Sequence, residues 1–96
     1  MRLSHPGKIL KSKLADRGIS LNKLSRETRI PMSRISVIVN GKRAITAETA
    51  LRLARYLGGS ANVWTSLQAQ YDLAVTMRKV GKLINREIAR AGQGPE

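Results

Sequence analysis

The chain has no cysteine, no phenylalanine, a single histidine and only six acidic residues among its 96 positions. The absence of cysteine excludes a disulfide framework, a thiolate zinc site and a cysteine nucleophile. One histidine and six scattered carboxylates leave little from which to build a hydrolytic centre, so no enzyme, no metal and no cofactor are expected. Aromatic residues make up 3% of the chain, one Trp and two Tyr, and recognition of single-stranded RNA leans on stacking that so few rings could not supply. No uninterrupted apolar run exceeds three residues, far too short for a bilayer span. Residues 1–14 also lack the continuous apolar centre of a secretory signal, so the expected location is the cytoplasm.

Lysine and arginine are abundant: 18 of them against the six acids give a formal net charge of +12. Such an excess repels itself and calls for a polyanionic partner, with a merely soluble basic surface as the plain alternative. The length is that of one domain, enough to bury roughly two-thirds of the unfolded chain's surface without metal or cross-links.

The hydrophobic pattern is helical throughout, since Val, Ile and Thr never alternate with polar residues long enough for a strand. His5-Pro6-Gly7 opens a first helix with Ile9, Leu10 and Leu14 on one side and Lys8, Lys11 and Lys13 elsewhere; Gly18 stops it. Ser20 caps a second helix running to about Thr28, with Ile19 and Leu24 at hydrophobic-staple spacing. A turn at Arg29-Ile30-Pro31 leads into a third, about 31–40, ending at Asn40-Gly41. Thr46 caps a fourth with Ala50, Leu51, Ala54 and Leu57 on one face, closed by Gly58-Gly59. Ser60 caps a fifth that carries Val63, Trp64, Leu67, Tyr71 and Ala74.

The second and third helices, joined by three residues, have the spacing of a helix-turn-helix. Leu24, Thr28, Ile30, Ile35 and Ile38 fall where such a motif packs inward, and Met32, Ser33, Ser36, Val37 and Asn40 project outward. The outward face of the second motif helix enters the DNA major groove. Between residues 21 and 43, six cations (Lys23, Arg26, Arg29, Arg34, Lys42 and Arg43) stand against the single acid Glu27, placed to hold phosphates on either side of the groove.

The ordered series His5-Pro6-Gly7, Asn22-Lys23-Leu24, Arg34-Ile35, Ile38 to Arg43, Ile45-Thr46-Ala47, Thr49 to Ala54, Trp64, Leu67-Gln68 and Tyr71-Asp72-Leu73 resembles the HigA-type antitoxins, also called addiction-module antidote or virulence-associated I proteins. They lie within the phage-repressor-like helix-turn-helix class, and the resemblance covers residues 4–75. It implies an all-α, compact five-helix bundle that dimerises, binds the palindromic operator of its own operon and neutralises a partner toxin, a ribosome-dependent mRNA endonuclease. It also implies a non-enzymatic, nucleoid-associated protein.

Carried over residue by residue, the family pattern assigns base contacts to Met32, Ser33, Ser36 and Val37, and phosphate contacts to Asn40 and to Lys42 and Arg43 of the following loop; Lys23 and Arg29, from the ring of cations, are expected to hold phosphate as well. Arg34 has two readings, a DNA contact or a structural partner inside the bundle. Met32 and Val37 are apolar and would read thymine methyls rather than make bidentate hydrogen bonds. Ser33, Ser36, bridging water and DNA shape would supply the remaining specificity.

Some positions depart from the wider pattern. Leu21 stands where Gln often begins the first motif helix, and Arg29 where the turn usually has Gly. Ser25 replaces a common Ala, Thr28 a larger hydrophobe, and Lys8 follows His-Pro-Gly where an acid is usual. His5 reads as a local capping residue, and Trp64, Leu67 and Tyr71 as core or dimer interface.

Residues 76–91 extend past the resemblance. Met77, Val80, Ile84 and Ile88 recur at helical spacing opposite Arg78, Lys79, Lys82, Arg86 and Arg90. This is a basic amphipathic extension of the fifth helix, with Gly81 as its weak point. It is expected to fold back on the dimer or to serve as a toxin-docking or dimer-extending arm; a membrane-surface helix fits less well without a large aromatic. Residues 1–75 then form the DNA-binding domain, and 92–96 a disordered tail. Two other functions stay open: a plain repressor without a toxin, and a basic RNA- or ribosome-associated protein.

Overall fold

Four of the five helices among the described residues start where a side chain satisfies an N–H group that the first turn leaves unpaired. In the computed structural model, which describes residues 4–92, Nδ1 of His5 accepts from the Gly7 N–H at 2.9 Å and opens α1, Pro6–Asp16. Ser20 Oγ accepts from Lys23 N–H at 3.1 Å to begin α2, Leu21–Thr28. Thr46 Oγ1 accepts from Thr49 N–H to begin α4, Ala47–Leu57, and Ser60 Oγ accepts from Asn62 N–H to begin α5, Ala61–Glu87. Helix α3, Met32–Val39, has no side-chain cap. Its entry is set by Pro31, whose carbonyl accepts from Arg34 and Ile35. The helix is thus one residue shorter at each end than the spacing predicts.

The described residues form five helices and no strand. The core gathers Leu10 and Leu14 of α1, Leu24 of α2, Ile35, Ile38 and Val39 of α3, Ala50 and Leu53 of α4, and Trp64 of α5, with Ile30 and Ile45 from the connections. Leu24, Thr28, Ile30, Ile35 and Ile38, the inward set expected of the motif, are all buried. Ile19 packs against this core from the partly buried rim, as the staple spacing requires.

Helix α5 is the outlier. Its 27 residues reach about 40 Å at 1.5 Å per residue, and they stretch the molecule to 56 × 24 × 22 Å. The helix passes through Gly81 without a break and ends at Glu87, so Ile88 does not extend the amphipathic stripe as expected but adopts an extended backbone. Ile88 is exposed; with no apolar surface to cover, a last turn has little to hold it. Of the tail read over 92–96, residues 93–96 lie outside the described residues.

Candidate nucleic-acid interface

Helix α3 turns Ile35, Ile38 and Val39 inward, which leaves Met32, Ser33, Ser36, Val37 and Asn40 on the opposite side. Met32, at 37% exposure, Ser33 and Asn40 are open to solvent, whereas Ser36 and Val37 are half-buried. Both ends of this face are therefore exposed and its middle is less accessible. Lys23, Arg29, Lys42 and Arg43 are all exposed. Arg34 is half-buried. Among the described residues the sole ion pair is Arg52–Glu48, so no carboxylate neutralises any of these cations.

The turn between α2 and α3 is held by hydrogen bonds to its carbonyls. Ser25 Oγ donates to Ile30 O at 2.6 Å, Thr28 Oγ1 donates to Leu24 O at 2.6 Å, and Arg52 Nη1 donates to Thr28 O at 3.1 Å. Ser25 and Thr28, two of the departures from the wider pattern, thus place hydroxyls where backbone acceptors await them. Arg29 sits between, in the left-handed region at φ 60°, ψ 28°, as expected of a position that usually carries glycine.

The far end of α3 closes in a Schellman arrangement. Gly41, at φ 76°, donates to Ile38 O, and Lys42 donates to Val37 O, both at 2.9 Å. This aims the Lys42-Arg43 loop away from the helix axis beside Asn40. The first turn of α1 braces it: a Cβ on Gly41 would lie 3.6 Å from that of His5.

His5 is buried, and its ring meets the ring of Tyr71 edge-on, centroids 4.9 Å apart. Loss of hydration pushes its pKa below the usual histidine value; Asp72 opposes this and Lys8 adds to it. With Nδ1 accepting from Gly7, His5 acts as a structural cap.

Trp64, 4% exposed, belongs to the core of its own chain, and Leu67 packs against that core. The exposed apolar side chains of α5 are others: Val63, Leu73, Met77, Leu83 and Ile84. Sequence reasoning missed two residues that fix the frame. Arg52 ties α4 to the end of α2, and Gln68 Oε1 accepts from the buried Ile45 N–H at 2.8 Å while its amide donates to Asp72. The only sequence signal for either is the Glu48–Arg52 spacing of four, which suggests a surface pair rather than a strut.

The helix-turn-helix family profile matches residues 10–64. Virulence-associated protein I of Dichelobacter nodosus is 47% identical over 70 residues, covering 72% of this chain; the chain spans 65% of that relative's length, just under two thirds. An addiction module antidote protein of the HigA family from Coxiella burnetii superposes with TM-score 0.90 at 42% identity, covering 94% of this chain and 99% of that one. A Pseudomonas aeruginosa protein solved in complex with its 18-bp operator DNA gives TM-score 0.91 at 38% identity, covering 96% and 98% of the two chains. The chain belongs to the helix-turn-helix family and, within it, to the HigA-type proteins.

Proposed function

We propose that this chain is a dimeric, operator-binding antitoxin that represses its own operon and binds a toxin encoded beside it. The observation that carries the reading is the α3 face flanked by cations with no carboxylate partner among the described residues. A fold shared at 38% identity with a protein solved on its operator supports it. Met32, Ser33, Arg34, Ser36 and Val37 meet base edges, and Lys23, Arg29, Asn40, Lys42 and Arg43 hold the phosphates. Such a protein acts on the nucleoid, in the cytoplasm.

Two copies pair through the apolar side of distal α5, where Leu73 and Met77 are each 64% exposed and Val80 and Ile84 continue the stripe. Pairing places two recognition helices on half-sites about one helical turn apart, or a multiple of it, on a near-palindromic operator. The toxin, in this reading, is an mRNA endonuclease that works on the ribosome. A plain repressor with no toxin is the second reading, favoured by the fact that the DNA-binding surface alone accounts for the basic motif.

The deciding experiment is co-expression with the product of the adjacent reading frame, followed by affinity purification and sizing. A stable complex with a small protein that is toxic alone supports the antitoxin; a clean homodimer beside a harmless neighbour supports the plain repressor. On DNA, Lys42→Ala and Arg43→Ala should weaken all sequences alike, whereas Ser33→Ala and Val37→Ala should change the preference among sequences. Equal losses on every sequence for all four overturn the division into phosphate and base contacts.

A further inference from the structure

The first turn of α1 lies against the loop that follows the recognition helix. A Cβ on Gly41 would stand 3.8 Å from Lys8 Cε, so the aliphatic stem of Lys8 drapes over this glycine. Its ammonium is thereby carried to a loop whose next two residues are Lys42 and Arg43. Lys8 is exposed, and no carboxylate pairs with it among the described residues, where Arg52–Glu48 is the sole ion pair. Asp72, the acid that acts on neighbouring His5, is already engaged by the Gln68 amide at 2.9 Å. Cations from two separate elements therefore gather at one spot, and their mutual repulsion is relieved when an anion lies among them.

The placement is also rigid. Gly7, the residue before Lys8, abuts the Ile38 backbone, so α1 cannot slide relative to the end of α3. The backbone from which Lys8 projects therefore has a fixed place beside the end of α3, which brings the reach of its side chain to that loop.

We propose that Lys8 is a further phosphate-binding residue, so that α1 and the loop after α3 close as one clamp on the DNA backbone beside the groove that α3 reads. The proposal rests on the DNA-binding function proposed above and adds α1 to the surface that touches DNA.

The test uses the full chain and a duplex enriched by the unmodified protein from a randomised pool. Binding is measured between 50 and 200 mM salt for the parent, Lys8→Ala, Lys8→Arg, Lys42→Ala and Lys79→Ala. Each engaged lysine contributes about 0.9 to the slope of log affinity against log salt. Lys8→Ala should therefore flatten the slope by about that much for every copy bound, so that its affinity ratio to the parent changes about 3.5-fold per copy, or about 12-fold for a dimer, across this range. Lys8→Arg should retain the parent slope. Lys79→Ala removes the same charge from distal α5 and should leave the slope unchanged. A parent-like slope for Lys8→Ala, with Lys42→Ala flattened, overturns the clamp. Equal flattening by Lys8→Ala and Lys79→Ala also overturns it, in favour of diffuse charge. Failure of the parent to enrich any duplex defeats the DNA-binding reading itself and the clamp with it.

Discussion

Gly7 and Ile38 meet backbone to backbone: a Cβ on Gly7 would overlap the Ile38 carbonyl oxygen and lie 2.6 Å from the carbonyl carbon. That same carbonyl accepts the Gly41 N–H that closes the end of α3. The first turn of α1 thus packs against the very carbonyl that closes the end of α3. Gly7→Ala is expected to lose about 1–3 kcal/mol of stability through overpacking. It should also weaken DNA binding under conditions where the protein stays folded, because the Asn40–Arg43 loop must shift. Urea unfolding and duplex titration check the two separately; unchanged values in both would show that the helices can separate at no cost.

Arg29 lies at φ 60° in the turn, a conformation that costs a residue with a Cβ roughly 1 kcal/mol. Arg29→Gly removes that strain but gives the unfolded chain extra freedom worth about 0.4–1 kcal/mol. Stability should therefore stay nearly level while DNA affinity falls and its salt dependence flattens. Arg29→Val, β-branched in the same conformation, should lose both stability and affinity. Parallel melting curves and salt titrations separate the two effects; full affinity in Arg29→Gly would remove Arg29 from the phosphate contacts.

His5 gives stability a dependence on pH. Its folded pKa lies below 6.5, chiefly because burial disfavours the charged ring, with Lys8 adding to the depression and Asp72 opposing it. The unfolded chain therefore binds the proton more readily, and stability rises with pH in this window. The contribution is complete above pH 6.5 and is lost as pH falls through the folded pKa. His5→Asn keeps a good helix cap without a titrating ring. Melting temperatures from pH 7.5 to 5 should fall more steeply for the parent than for this variant, and parallel curves would dismiss the effect.

Gln68 satisfies the buried N–H of Ile45 across α5 and the α3–α4 connection. Gln68→Leu should cost about 1–3 kcal/mol, since it strands that donor away from water. Denaturant unfolding measures it, and hydrogen exchange at Ile45 should quicken. A neutral result would show that water reaches this amide.

Helix starts were legible because they depend on neighbours in sequence. Ser20, Thr46 and Ser60 reach N–H groups two or three positions on, a reach that spacing alone defines. The inward set of α2 and α3 was legible for the same reason, as helical periodicity separates Ile35 and Ile38 from Ser33 and Ser36. The strut roles of Arg52 and Gln68 were not, since their backbone acceptor and donor lie 24 and 23 residues away. The end of α5 is not legible in the sequence, because Ile88 continues the apolar period while no element among the described residues buries it.

The sequence by itself determined five helices, their side-chain caps and the inward face of the motif, all consequences of local sterics and period, while the left-handed turn at Arg29 followed from the family resemblance. Only the tertiary structure decided which polar side chains brace the turn, where Trp64 packs, why Gly7 admits no side chain, and that Lys8 lies over Gly41. Those facts depend on which helices touch and how closely. Close approach between α1 and α3 follows from the packing of the whole core, to which residues far apart in the chain contribute at once.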